Sequence, residues 1–350
     1  PCSTWQLSMG LDSFFKLLDD ARKTPTFSLT RPRYDQSTFI GRSLHFYSVN
    51  DPRTLLSSSN DLNNAKELLK NFGNKESLPK GTTDETLWEA RRLIESAIHP
   101  DTKEVINPLL RFSAFTPVNM WIVVATLSPT VLRSFVLTGG IHFLNQTYNA
   151  SINFANRNAS NNISTQRLIE GYAGAVITSL SIGMSATYLT KRAKGFRPGA
   201  AGIIRATLPF LATSLAGFAN VGLMRRNELI EGVDMKDEEG NFRGKSKVAG
   251  KTGIAKCGMA RILWNIPIMM LPPALMIRLE RTAPLRNNPR LKLAVEVGII
   301  TTCLLTAVSP ALAVYPQNDS IKVENLEPEF ANLKLSDGRF VKELYYNKGL

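Results

Sequence analysis

Residues 171–190 read GYAGAVITSLSIGMSATYLT, a run with no charged side chain. About 20 mostly apolar residues of helix, rising 1.5 Å each, cross a hydrocarbon layer roughly 30 Å thick. Further uncharged runs lie at 113–132, 134–156, 206–224, 262–277 and 297–318. In the first run Gly171, Ala175, Ser179 and Gly183 recur at four-residue spacing, a ridge of small residues that lets a neighbouring backbone approach closely in lipid. The run at 206–224 repeats the device with Ala212 and Ala216 and ends at Asn220, followed by Arg225 and Arg226.

Residues 1–112 are polar and charged and hold two amphipathic segments. The segment 61–72 sets Ala65, Leu68, Leu69 and Phe72 on one face and stops at Gly73. The segment 82–98 opens on a Thr82/Glu85 capping box and turns Leu87, Ile94 and Ile98 inward. The expected architecture is all-α. A polytopic helical membrane bundle of about five transmembrane helices covers 113–318, with a mostly helical soluble region at 1–112 and a soluble tail at 319–350.

The chain has 350 residues and a net charge of +13. Its Lys and Arg residues sit beside the apolar runs instead of gathering on one face, so no nucleic-acid surface is expected. Cys2, Cys257 and Cys303 are far apart in sequence and give neither a zinc site nor a disulfide framework, which suits a reducing compartment. His45, His99 and His142 are too few for a multi-histidine metal centre. One could serve as an axial haem ligand, but a structural histidine is the simpler reading. No nucleophile–base or paired-carboxylate spacing appears, so no enzymatic chemistry, metal or cofactor is expected. The first thirty residues carry Asp12, Asp19 and Asp20 and no long apolar core, the pattern of neither a secretory signal nor a cleavable transit peptide.

Pro117, Pro129, Pro209, Pro267, Pro272, Pro273 and Pro310 fall in or near the apolar runs. Proline removes a backbone donor, so several helices are expected to be kinked or discontinuous, as in transporters that present backbone groups to cargo. If 134–156 is not a simple span, five crossings remain and the two ends of the chain lie on opposite sides. The basic loops at 191–205 and 278–296 then share the side of the N-terminus and mark it as non-translocated.

Residues 142–157, HFLNQTYNASINFANR, contain no Asp, Glu or Lys. At 100° per residue His142, Asn145, Asn149, Asn153 and Asn156 fall within an arc of about 80°, flanked by Gln146 and Arg157, with Phe143 and Phe154 opposite. Unpartnered amides are costly in hydrocarbon, so the row is expected to face protein, water or cargo. Either the amides bond to neighbouring helices, or they line a polar path for an uncharged or zwitterionic solute. Asn145, Asn149, Asn158 and Asn162 also begin N-x-Ser/Thr triplets, but membrane depth and a reducing compartment disfavour glycosylation.

Two further motifs are weaker. Gly250-Lys-Thr-Gly253 resembles the end of a phosphate-binding loop, yet Lys245 stands where the first glycine belongs and no buried strand is expected before it. His99-Pro-Asp-Thr-Lys-Glu104 precedes the first apolar run. Asp101 there can accept backbone donors in a turn that redirects the chain, or His99 and Asp101 can act as a gate.

Several motifs in fixed order carry a resemblance to a known family. They are Arg33-Tyr-Asp-Gln-Ser-Thr-Phe-Ile-Gly-Arg42 with His45-Phe46, His99-Pro-Asp-Thr102, Pro117-Val-Asn-Met120, the row from Asn145 to Arg157, Asp237-Glu-Glu-Gly-Asn241 and Tyr346-Asn-Lys-Gly-Leu350. From about residue 31 onward the chain closely resembles the sideroflexins. That resemblance implies a multi-pass protein of the mitochondrial inner membrane, usually described with five transmembrane helices, that carries serine and related small amino acids into the matrix. Older descriptions of such proteins speak of tricarboxylate carriers and of iron and haem metabolism. The sequence departs from the family pattern at Lys103, where glycine is usual, and at Val221-Gly222, where Ile-Pro is common. The expected function is transport of a small neutral amino acid, serine foremost, with the N-terminus in the matrix and the C-terminus in the intermembrane space. A tricarboxylate carrier or a non-transporting membrane scaffold is the alternative. Asn119, Asn145, Gln146, Asn149, Asn153 and Asn156 are the expected cargo contacts, Arg157 the partner of the cargo carboxylate, and membrane lipid the surroundings.

Overall fold

The computed structural model describes residues 24–100, 102–156, 165–192 and 198–349. Asp101 and Arg157, both expected at functional positions, lie outside the described residues.

The N-terminal region builds three helices, α1 (Phe39–Val49), α2 (Ser59–Gly73) and α3 (Asp84–Ala97). Side chains start each one. Thr38 accepts from Gly41 N, Ser58 and Asp61 form a reciprocal capping box, and Thr83 accepts from Thr86 N. The box expected at Thr82 and Glu85 does not form. Thr82 Oγ1 donates to Pro79 O, and the Glu85 carboxylate binds Arg33 at 2.7 and 2.9 Å. The expected apolar face closes the region, with Phe27, Leu87 and Trp88 packed against Leu68, Leu69 and Phe72.

The bundle follows as α4 (Phe115–Leu127), α5 (Pro129–Arg133), α6 (Phe135–Ala155), α7 (Thr165–Arg192) and α8 (Pro198–Met224). The short α9 (Arg226–Ile230) leads to a hairpin, after which α10 (Lys247–Leu279), α11 (Ala283–Asn287) and α12 (Pro289–Ala313) complete it. Among the described residues Thr207–Met224, Lys247–Leu279 and Pro289–Ala313 are long and apolar enough to cross a membrane. Pro129 opens α5 after a break at Ser128, whereas Pro209, Pro267, Pro272, Pro273 and Pro310 lie inside continuous helices. The expected ridge packs α7 on α8. A Cβ on Gly171 would stand 3.2 Å from Leu223 O, and Ser179 Oγ donates to Ala216 O at 3.0 Å. Gly183 instead faces the His142 ring on α6. The core of the bundle gathers Phe46, Phe112, Phe115, Tyr148, Ile152, Trp264, Leu304 and Leu312.

The sequence leaves the form of 134–156 open, and one expectation about the two ends of the chain is corrected. Within 134–156, Phe135–Ala155 is one unbroken 21-residue helix packed on α7 and α8. The N-terminal region sits at the C-terminal end of α12, where Arg42 Nε donates to Ala313 O at 2.8 Å, and α11 lies at the other end of that helix. The N-terminal region and the chain after α12 therefore share one end of the bundle, and the loop at 278–296 lies at the opposite end.

The all-α expectation leaves out a small sheet. Strands β1 (Val233–Lys236), β2 (Phe242–Ser246), β3 (Asn318–Lys322) and β4 (Glu343–Asn347) pair antiparallel in the order β2-β1-β4-β3. Asp237-Glu-Glu-Gly-Asn241 makes the β1–β2 turn, where Asp237 Oδ1 accepts from Glu239 N and Asn241 N, and Gly240 takes φ +84°. Met235, Leu344 and Tyr346 face inward onto Ala249 and Phe330.

Candidate functional site

The exposed side of α6 carries Phe135, Val136, Leu137, Phe143 and Leu144. The amide row turns the other way, with Asn153 buried and Asn145, Gln146, Asn149 and Asn156 half-buried. The row is not one unit. Asn149 Nδ2 donates to Asn145 O and Oδ1 at 2.9 and 3.0 Å, within its own helix. Asn156 ends the helix, donating to Ile152 O at 2.8 Å and to Leu110 O at 3.0 Å. Asn153 reaches across the bundle: its Nδ2 donates to Asn220 Oδ1 on α8 at 2.6 Å, and its Oδ1 accepts from Arg261 Nη2 on α10.

Asn220 is 0% exposed, and its own Nδ2 meets no hydrogen-bond partner. Arg261 is 6% exposed and lies 5.3 Å from the centroid of the Trp264 ring. Among the described residues its guanidinium forms no ion pair. A buried cation without an ion pair and an unsatisfied amide donor, both joined to Asn153, are expensive in a membrane bundle, and both are donors of the kind an anionic oxygen accepts from.

One helical turn before Arg261, Cys257 belongs to a second buried cluster. Arg225 Nε and Nη2 grip the two Glu228 oxygens at 2.8 and 2.6 Å, Nη1 donates to Cys257 Sγ at 3.1 Å, and Nη2 donates to Lys348 O at 2.8 Å. Burial opposes the Arg225 charge, but the Glu228 carboxylate outweighs it and the pKa rises. The pair is neutral overall, so Glu228 does not offset the charge of Arg261. Lys348 is itself buried, which pushes its ammonium below the usual lysine range.

The other expected positions are elsewhere. Asn119 Nδ2 donates to Phe115 O at 2.8 Å within α4. His99 is buried in the turn after α3, where its Nδ1 accepts from Thr102 N at 3.3 Å. The phosphate-loop lookalike opens α10. The anion at that helix end is Glu327, whose carboxylate accepts from Lys247 N, Val248 N and the Ser246 hydroxyl at 2.7–3.0 Å. Burial works against that charge, and these donors still hold the Glu327 pKa below the ordinary glutamate value.

Asn220, Arg225, Glu228 and Arg261 escaped the sequence reading as site residues. Arg261 borders the run 262–277 and was indistinguishable from the flanking charges of a span. Asn220 was visible as the polar end of the run 206–224, but nothing in the spacing joined it to α6.

The family model described as "Sideroflexins" matches residues 28–350. The chain is 37% identical to "Sideroflexin" of Dictyostelium discoideum over 93% of its length and 98% of that protein's. It is 37% identical to "Sideroflexin-5" of Homo sapiens, covering 93% of this chain and 94% of the relative, and 35% identical to human "Sideroflexin-3", covering 92% and 98%. No solved structure matches it. A match of this extent, on a helical membrane bundle with the expected motifs in order, places the chain in the sideroflexin family.

Proposed function

We propose that this chain carries small neutral amino acids, serine foremost, across the mitochondrial inner membrane into the matrix. The observation that carries the reading is Arg261, a guanidinium buried between α6, α8 and α10 with amides and a tryptophan ring beside it and, among the described residues, no acid to neutralise it. In this reading a cargo carboxylate takes the place of the missing acid. Arg261 and the free Asn220 Nδ2 donate to it, and Asn153 holds both donors in register. Serine adds an ammonium and a hydroxyl, which the half-buried amide oxygens of Asn145, Gln146 and Asn149 can receive. Arg157 remains a second candidate for the carboxylate, at the end of the same row. Because Arg225 is already paired with Glu228, this layer offers a tricarboxylate no matching set of guanidinium charges, which favours a single carboxylate.

The test is uptake of labelled serine by proteoliposomes. Wild-type protein is expected to accumulate it and Arg261→Gln to lose the activity. Equal uptake by both, at equal protein content, would remove Arg261 from the path.

A further inference from the structure

The N-terminal region leaves large apolar side chains uncovered. Phe39 and Tyr47 on α1 are exposed, Leu56 is 87% exposed at the end of the 3-10 turn Pro52–Leu56, and Leu109 is 65% exposed in the turn Pro108–Leu110. On an ordinary soluble surface each would lose about 25 cal/mol for every Å² of apolar area left in water.

Their level in the molecule is fixed by hydrogen bonds. Besides the Arg42 contact with Ala313, Tyr47 Oη donates to Thr306 O at 2.7 Å and Asn50 Nδ2 to Ser309 Oγ at 3.3 Å. Thr306 stands about two turns, roughly 10 Å, inside the end of α12. No charged residue follows Glu296 on that helix, so α1 lies beside the apolar part of a span. Leu305 and Thr306 are themselves exposed at this level, which makes the α1 flank continuous with the outer face of α12. On the other side, the turn Pro52–Leu56 packs on Phe112–Ala114, and Leu110 O accepts from Asn156 Nδ2. Leu56 and Leu109 are thereby held beside the start of α4 and the end of α6. An apolar helix without acidic residues, laid along the rim of a bundle with aromatic side chains outward, has the character of an interfacial anchor.

We propose that α1 and the two turns form a shelf in the headgroup–acyl boundary of the bilayer, with Phe39, Tyr47, Leu56 and Leu109 in contact with lipid. The shelf seats the soluble region on the same membrane that the bundle crosses, whatever the bundle carries. The occupant is lipid because the patch continues the outer face of a span.

The experiment places a nitroxide label on a cysteine at Leu56 in the full chain reconstituted in liposomes, with Cys2→Ser as background; Cys257 and Cys303 are buried. A second label at Lys66, on the exposed side of α2, is the control. At position 56 accessibility to oxygen is expected to exceed that to a water-soluble nickel chelate several-fold, and at 66 the order reverses. Chelate access at 56 equal to that at 66 would overturn the proposal in favour of bulk water. Exclusion of both reagents would overturn it in favour of a covering protein.

Discussion

The amide nitrogen of Asn153 lies 2.6 Å from Oδ1 of Asn220, 67 residues further along the chain, while the Asn153 oxygen receives Arg261. One side chain thus orders the donors of two other helices. Replacing Asn153 with Asp puts a carboxylate against the guanidinium and fills the place proposed for cargo. Uptake by N153D is expected to fall by about tenfold to a hundredfold, the range of a lost charge-assisted hydrogen bond. Leu at Asn149, whose amide bonds only within its own helix turn, is expected to cost far less than Leu at Asn153. Similar uptake by N149L and N153L would contradict the cross-bundle role.

Arg261→Gln removes a buried charge that, among the described residues, has amide and aromatic neighbours but no acidic partner. Its thermal midpoint in detergent is therefore expected to stay level or rise while uptake is lost. Glu228→Gln does the opposite to Arg225, leaving it buried without its acid, and is expected to cost about 3–5 kcal/mol. Melting curves of the two variants should move apart; a shared direction would sink the distinction between them.

Lys103 occupies the left-handed region at φ 59°, in the turn that follows His99. That conformation costs a residue with a Cβ about 1–2 kcal/mol, and glycine adopts it freely. Lys103→Gly is expected to stabilise the chain by about 1 kcal/mol, read as a higher melting temperature. This is also the position where the sequence departs from the glycine usual in the family.

A Cβ on Gly250 would stand 2.3 Å from Glu228 O, so Gly250→Ala must push α9 off α10 at a cost of about 1–3 kcal/mol. A Cβ on Gly174 would meet nothing within 4 Å outside its own helix turn among the described residues, and the alanine variant is expected to be neutral or slightly stabilising. The two melting temperatures, measured side by side, check the packing of α9.

Burial holds the His45 pKa below its ordinary 6.5, with Glu95 opposing and Arg91 reinforcing the shift. The unfolded chain therefore takes up a proton before the folded one does. The contribution of His45 is complete above that value and is lost as pH falls below 6.5. Thermal scans from about pH 8 down to about pH 5 are expected to show that decline in wild type and a shallower one in His45→Gln. Parallel profiles would exclude His45 as the cause.

Much of the fold was legible because lipid imposes a crude rule on composition. The uncharged runs, the ridge at Gly171, Ala175 and Ser179 and the amphipathic faces of α2 and α3 all follow from local spacing. The sheet was hidden because its strands are short and come from two distant parts of the chain, with β4 pairing β1 across Tyr345 and Lys236. The capping box slipped because Glu85, a good local partner for Thr82, found a stronger one in Arg33.

The sequence by itself determined that an amide row would share one face of α6 and turn inward, opposite the exposed apolar side, since hydrocarbon offers those groups no partner. Which of the amides reaches another helix, and that an arginine flanking one run would lie buried with no ion pair among the described residues, only the tertiary structure decided. Spacing fixes the face of one helix. The depth at which α6, α8 and α10 meet depends on how all their side chains pack, and no local pattern records it.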